Sequence, residues 1–289
     1  MSIEILRVAA ALYAAGAAAY IVFFARPRHA RAAPVGFTLV LAGFVVHAVS
    51  IGLACRDFGG NEFFNLRGGF GMLGWLAAGG FLLLQRFYRM PSVGAFVLPL
   101  VLIAILPGVF GVGPDADMNA VPDVVRLPTL KLHVSAAIGG VAVFALAFGV
   151  ALMYLLQERE VKGKHFGALF SRLPSLDALD RLNQRLVRFG FVVFTVALVT
   201  GSLVAKKQWG TFWDWDGQQI VSVVIWLLYG AMVQATHRGV HGRRYAVLTL
   251  VGFALVLSSM IGLRQAPGIT KHKGDFKAET AATSGVDLR

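Results

Sequence analysis

The sequence predicts an all-α membrane protein, a polytopic bundle of about eight transmembrane helices. Apolar residues make up 57% of the chain and charged residues only 15%, and the mean hydropathy is +0.68. Apolar runs of about 17 to 25 residues recur along the chain, which is the length a helix needs to cross a bilayer. The runs are continuous rather than alternating, which favours helices over a membrane barrel.

The apolar runs lie between charged or Pro/Gly-rich breaks, and these breaks define the predicted helices. The spans cover residues 3–24, 35–54, 69–87, 93–112, 131–157, 189–205, 220–236 and 245–263. No small-residue cleavage site follows the first run, so we interpret it as a retained helix rather than a signal peptide. The chain is therefore predicted to form a single integral membrane domain over 1–289, with a flexible tail at 264–289.

The segment between the fifth and sixth spans is amphipathic. Its leucines recur at helical spacing opposite polar residues such as Asp180 and Arg188. These leucines are Leu176, Leu179, Leu182 and Leu186. The pattern predicts an amphipathic helix lying on the cytoplasmic membrane surface.

The basic residues indicate an orientation. The formal net charge is +12, but the cations lie in short loops and form no groove for nucleic acid, so no nucleic-acid partner is expected. One side collects Arg26, Arg28, Arg31, Arg86, Arg89, Arg159, Lys162, Lys164, Arg172, Arg181, Arg185, Arg188, Arg238, Arg243 and Arg244. By the positive-inside rule that side is cytoplasmic, so both termini are predicted to face outward. Cys55, the only cysteine, excludes an internal disulfide.

Three of the five tryptophans lie close together in an outward loop, at Trp209, Trp213 and Trp215. One explanation is an interfacial aromatic belt, with Asp216 capping a helix that starts near Gly217. The other is a stacking platform for a flat, conjugated, hydrophobic ligand. The residues alone leave both explanations open.

Histidines at membrane depth are the second unusual feature, because ionisable groups there need a partner or a ligand. His47 lies inside the second span, His133 opens the fifth and His237 closes the seventh. Each could instead hydrogen-bond a neighbouring helix. The topology places His47 and His133 near the tryptophans and His237 at the opposite end, so the first two are the favoured pair. His272, beyond the last span, is a further candidate, although a solvated histidine of the tail is the favoured explanation for it.

These residue types suit a haem group. Two imidazoles can ligate its iron axially, aromatic side chains can cover its faces, and cations can meet its carboxylates. The outward cations Lys206, Lys207, Arg67 and Arg126 are candidates for that last role, although contact with solvent or lipid phosphate is the favoured explanation for each of them.

The segment WGTFWDWD, which contains Asp214 and Asp216, resembles the WWD motif of the cytochrome c assembly family. The likeness to the CcsA and CcmC haem-handling members covers about residues 130–263, and VVHAVSIGL is similar to the second span of eight-helix CcsA and HemX-like members. Gly217-Gln218-Gln219 departs from the Pro-Lys-Glu that usually ends the motif.

The resemblance implies a multi-pass protein of the bacterial inner membrane in cytochrome c biogenesis. Non-covalent b-type haem would be displayed on the periplasmic WWD loop and delivered to apocytochrome c, with a CcsB-type partner protein. His133 would be one ligand, His47 or His272 the other, and His237 would hold haem during its transport across. The chain would then be the membrane component of a haem lyase or synthase.

Two alternatives remain at this stage. A HemX-like membrane regulator or assembly subunit for tetrapyrrole synthesis would lack ligation activity. A small-solute transporter is less favoured, because the spans show no paired broken helices and few intramembrane charges.

Overall fold

The computed structural model describes residues 2–26, 29–58, 66–110, 127–164 and 167–265. Over this part of the chain it is all-helical. The helices are α1 (Ser2–Ala25), α2 (Ala32–Phe58), α3 (Leu66–Tyr88), α4 (Gly94–Val109), α5 (Pro128–Lys162), α6 (Ala168–Arg172), α7 (Leu176–Trp209), α8 (Gly217–His237) and α9 (Arg243–Gln265). Eight helices of the described part are long and apolar enough to cross a membrane, the fourth when the 3₁₀ turn at Pro91–Val93 is counted with α4. The predicted fold class is confirmed.

The helix boundaries show where the sequence pattern was incomplete. Each predicted span corresponds to one long helix, while α6, a single short turn of helix, was not predicted. The tail predicted at 264–289 lies almost entirely outside the described residues, the last of which is Gln265 in α9.

The sequence predicted a separate surface helix for the amphipathic segment, and this prediction was wrong. The segment forms the first turns of α7, which continues without a break to Trp209. Its leucines Leu179, Leu182 and Leu186 are buried in the bundle, while Arg181 and Arg185 are exposed. The amphipathic pattern did predict a helix, but its apolar face packs against neighbouring helices rather than against lipid.

Helix α5 is the centre of the bundle. It packs against α3 and α4 on one side and against α7 and α9 on the other. Small residues allow close approach: a Cβ at Gly140 would lie 3.3 to 3.4 Å from three atoms of Phe194 on α7, two of them backbone. The bundle therefore has two groups, α1–α4 and α7–α9, joined through α5.

The outside of the bundle is apolar along most of its length. Large side chains that would be buried in a water-soluble protein are exposed, including Val45, Leu83, Ile103, Val192 and Leu227. A continuous exposed apolar surface suits hydrocarbon as the surrounding solvent.

The alternating direction of the spans gives the bundle two different ends. We call the end with the α7–α8 connection (residues 210–216) the tryptophan end. The other end, which we call the basic end, carries the α1–α2, α3–α4, α5–α7 and α8–α9 connections. Helices α5 and α7, of 35 and 34 residues, are each about 50 Å long, so they extend beyond a hydrocarbon layer of about 30 Å.

Candidate functional site

The α7–α8 connection, residues 210–216, is called the tryptophan segment, and it starts at a tight corner where α7 ends. Gly210 has φ of 77°, the left-handed conformation that glycine adopts without penalty, and its N–H donates to the carbonyl of Lys206 over 3.1 Å. The Lys206 ammonium in turn donates to the carbonyl of Gly210 over 2.6 Å and lies 5.3 Å from the centre of the Phe212 ring. The chain leaves α7 in a defined direction.

The other end of the segment is bound to the first turn of α8. The Asp216 carboxylate accepts from the N–H of Gln218 over 3.2 Å, which confirms the predicted helix cap. The N–H of Asp214 donates to the side-chain oxygen of Gln219 over 2.9 Å. Both aspartates of the motif are therefore fixed by α8.

Gln219 is a residue whose role the sequence analysis missed. It belongs to the tripeptide where this chain departs from the usual motif, and it restrains the tryptophan segment through its side chain. The sequence did contain a signal, because Asp216 and Gln219 have the spacing of a capping box. In this chain the glutamine reaches past the cap residue to the backbone of Asp214.

Trp215 is held in an unusual position between these two aspartates. Its φ is 53°, in the left-handed region that bulky residues avoid, and its side chain is 75% exposed. The partly buried Trp213 ring meets it edge to face, with centroids 5.7 Å apart and an interplanar angle of 88°. The arrangement leaves a broad indole surface available for stacking at the tip of a restrained loop.

His133 lies in the second turn of α5, at the same end of the bundle. Its Nδ1 atom is 2.7 Å from the carbonyl oxygen of Ala197 on α7. Because a carbonyl oxygen only accepts, Nδ1 carries the proton and donates it, so Nε2 keeps the lone pair that a metal takes. Metal-ligating histidines usually donate their other ring N–H in this way, and so do membrane histidines that only join two helices.

The absence of a side chain at Gly201 makes room for the His133 ring. A Cβ at Gly201 would lie 2.7 Å from Cε1 and 2.9 Å from Nδ1 of the imidazole. Gly201 is eight residues before Trp209, so His133 packs about 12 Å along the helix axis from the end of α7. Helix α7 thus positions both the histidine and the start of the tryptophan segment.

His47 has a much more enclosed environment on α2. Its side chain is 1% exposed, and its Nδ1 lies 3.5 Å from the hydroxyl of Tyr13 on α1. It lines a cavity of about 40 Å³ together with Ser2, Leu6, Ser50, Arg67 and Gly71. That volume holds a few water molecules and is far smaller than a porphyrin.

The structure brings the candidate histidines together only in part. His47 lies within the α1–α4 group and His133 packs against α7, both toward the tryptophan end. His237 is exposed in the last turn of α8, at the basic end. His272 and Arg126 lie outside the described residues. Across the described part of the chain, no three His, Cys, Asp or Glu side chains are grouped to hold a metal ion by themselves.

Comparisons with known proteins agree with this architecture. The sequence model of the family described as "Cytochrome C assembly protein" matches residues 63–268. The chain is 29% identical over 215 residues to the cytochrome c biogenesis protein CcsA of Parasynechococcus marenigrum, covering 66% of this chain and 70% of the relative. It is also 29% identical to CcsA of Prochlorococcus marinus, over 63% of this chain and 66% of the relative.

A solved structure shares the fold. The cytochrome c heme lyase CcmF superposes with a TM-score of 0.64 at 13% identity. The superposition covers 90% of this chain but only 46% of the lyase chain.

Proposed function

Because the chain belongs to the cytochrome c assembly protein family, we propose that it acts in cytochrome c maturation by holding haem at the tryptophan end of the bundle and delivering it to apocytochrome c. The observation that carries this proposal is Trp215, a largely exposed indole on a strained backbone between two anchored aspartates. An aromatic belt requires only depth in the membrane and no such conformation, whereas strained residues cluster at binding sites.

The residues at this end suit haem in their chemistry. Trp213 and Trp215 would cover the porphyrin, and His133 would offer Nε2 to the iron. Bound haem supplies the iron that imidazoles coordinate and is itself the group transferred to the cytochrome. The protein's own contribution is to exclude water with its indoles and to hold the imidazole in the ligating tautomer.

The second axial ligand is proposed to be His47 or His272. The cavity beside His47, which α1, α2, α3 and α4 line together, is smaller than a porphyrin and would have to widen for His47 to ligate haem iron. The cations Lys206, Lys207 and Arg67, which lie at the tryptophan end, are proposed to meet the haem carboxylates.

The proposal extends to the orientation and the partners. We place the tryptophan end on the periplasmic side of a bacterial inner membrane, where apocytochrome c would receive haem with the help of a CcsB-type partner. His237, at the other end of α8, would hold haem on its way across. The sulfur atoms of the haem attachment would come from the C-x-x-C-H cysteines of the cytochrome, so this chain would contribute the haem and its position.

The test is the visible spectrum of the full chain purified in mild detergent after expression with sufficient haem. We expect a Soret band in the wild type, and a weakened or shifted band in His133→Ala because one axial ligand is lost. The matched control is His29→Ala, an exposed histidine at the basic end, which should leave the band unchanged.

Wild-type protein without a Soret band would refute haem binding. In that case the HemX-like regulator becomes the better interpretation, and co-purification with a tetrapyrrole-synthesis enzyme would be the result to look for. If the Soret band weakened equally in His133→Ala and His29→Ala, His133 would not be an axial ligand, although the protein would still bind haem.

A further inference from the structure

A second site lies at the basic end, far from the tryptophan segment. A cleft of about 510 Å³ opens between the last turns of α1, the start of α2 and the corner that joins α3 to α4. Its lining includes Tyr20, Pro34, Phe37, Arg86 and Arg89. The volume falls within the range of about 300 to 1,000 Å³ typical of small-molecule sites.

The cleft is electrostatically one-sided. Arg86 and Arg89 are exposed, and neither guanidinium makes a hydrogen bond or ion pair with a described residue. The adjoining α1–α2 connection adds Arg26 and Arg31. No Asp or Glu occurs between Glu4 and Asp57, or between Glu62 and Asp115, so the segments that form the cleft contain no carboxylate. This concentration of positive charge favours an anionic ligand.

A polar group without a partner also belongs to the cleft. Tyr20 is 1% exposed, yet its hydroxyl makes no hydrogen bond with a described residue. Its ring is locked between two helices, because a Cβ at Gly36 would lie 2.9 Å from it and a Cβ at Gly94 would lie 2.6 Å from it. The side chain is therefore fixed in place with a donor available.

The α3–α4 corner is also held in a defined shape. Arg89 has φ of 52°, and its N–H donates to the carbonyl of Gln85 over 3.2 Å. The Gln85 amide donates to the carbonyl of Met90 over 2.7 Å. A non-glycine residue in the left-handed region costs about 1 to 2 kcal/mol, so the surrounding hydrogen bonds must hold Arg89 in this conformation. They keep Arg89 at the same corner as Arg86.

We propose that this cleft binds the phosphate of an anionic phospholipid from the surrounding leaflet. The two arginines pair with the phosphate, the Tyr20 hydroxyl donates to it, and Pro34 and Phe37 provide an apolar wall beside the lipid chains. A lipid is favoured over a soluble phosphate because the cleft combines cations with this apolar wall at the end of membrane-spanning helices. The proposal is independent of haem binding.

The experiment is native mass spectrometry of the full detergent-purified chain with added phosphatidylglycerol, phosphatidylcholine or glycerol 3-phosphate. Wild type should retain phosphatidylglycerol in preference to the other two. In the double variant Arg86→Gln/Arg89→Gln, the affinity for phosphatidylglycerol should weaken about 30-fold, because each arginine near an anionic membrane surface strengthens binding about fivefold. Tyr20→Phe keeps the ring and should weaken retention less.

The matched control is Arg238→Gln/Arg244→Gln, which removes the same charge from exposed positions of the basic end outside the cleft. It should retain phosphatidylglycerol like the wild type. Equal retention of phosphatidylcholine, equal losses in the two double variants, or preference for glycerol 3-phosphate would each overturn the proposal. Thermal unfolding of each variant in detergent shows whether a loss of lipid comes from a loss of fold.

Discussion

Trp215 shows at the scale of one residue how local strain and exposure can coincide. A left-handed backbone costs a bulky residue about 1 to 2 kcal/mol, and an exposed indole recovers little of that through packing. The conformation persists because Asp214 and Asp216 on either side are tied to the start of α8. Selection for stability alone would favour glycine at this position, so the tryptophan indicates a use for its ring.

Replacing Trp215 by glycine should therefore separate stability from binding. We expect Trp215→Gly to unfold at the same temperature as wild type or slightly higher, with a gain of up to about 1 kcal/mol, because the backbone strain disappears. Haem retention should fall because the stacking surface is lost. Thermal unfolding and the visible spectrum of the same preparation measure both effects.

Lys164→Gly is the matched control for that variant. Lys164 has φ of 54° and is exposed at the basic end, so glycine relieves the same strain without touching the tryptophan segment. Its haem spectrum should be unchanged. A Trp215→Gly protein that keeps full haem occupancy would remove this indole from the site.

His133 illustrates the same scale for a candidate ligand. Its position at the tryptophan end of the bundle follows from the sequence. Its tautomer follows from the carbonyl of Ala197, and its ring position from the gap at Gly201. Both of these partners are on α7, more than sixty residues later in the chain. A spacing rule within α5 could not have found them.

At the scale of the elements, α7 combines a membrane span with a polar extension that ties the helices together at the basic end. Asp180 on this extension accepts from the N–H of Gly242, at the start of α9, over 3.0 Å. It also accepts from the Gln184 amide over 2.9 Å, and Gln184 lies 3.1 Å from Nδ1 of His241. Asp180 and Gln184 of the polar face thus join α7 to the start of α9, while Arg181 and Arg185 remain exposed.

Removing this junction should cost stability. We expect Asp180→Ala to lower the free energy of unfolding by about 1 to 3 kcal/mol, because partly buried donors on Gly242 and Gln184 lose their acceptor. Asp177→Ala is the matched control, because it is the same substitution about one helix turn away. Among the described residues, Asp177 forms an ion pair with the exposed Arg181 alone, and such pairs contribute about 0 to 1 kcal/mol.

Thermal unfolding of the two variants in the same detergent distinguishes the roles. If Asp177→Ala proved as destabilising as Asp180→Ala, the contribution would come from helix-end electrostatics rather than from the α7–α9 junction. A selective effect of Asp180 would show that the amphipathic pattern encodes a helix contact.

At the scale of the whole molecule, the two ends of the bundle differ in chemistry. One end presents indoles and an oriented histidine, while the other carries most of the arginines of the short connections and the anionic-lipid cleft. The positive-inside rule predicts that the basic end faces the cytoplasm. An anionic leaflet on the same side would reinforce that orientation.

Cysteine labelling in intact cells tests this orientation. In a Cys55→Ser background, Thr211→Cys reports on the tryptophan end and Lys164→Cys on the basic end, both at exposed positions. A membrane-impermeant maleimide should label Thr211→Cys from outside and should label Lys164→Cys only after the membrane is opened. The reverse result would invert the proposed topology and with it the side on which haem is delivered.

Much of this architecture could be predicted from the sequence, because a bilayer imposes its thickness on each apolar run. The eight spans, the cap at Asp216 and the placement of His47 and His133 toward the tryptophan end needed only hydropathy, spacing and alternation of direction. The extent of α7 could not be predicted in this way, since lipid and neighbouring helices both accept an amphipathic face.

Hydropathy, spacing and charge along the chain thus sufficed to predict a membrane bundle with two chemically distinct ends, and to assign the tryptophans, His47 and His133 to one of them. The surroundings of each histidine came instead from the packing of the helices. His47 is enclosed by Tyr13 and a cavity of about 40 Å³, while His133 is turned by Ala197 and Gly201. The physical reason is that periodicity places a side chain on its own helix, whereas hydrogen-bond partners and free volume come from helices distant in the chain.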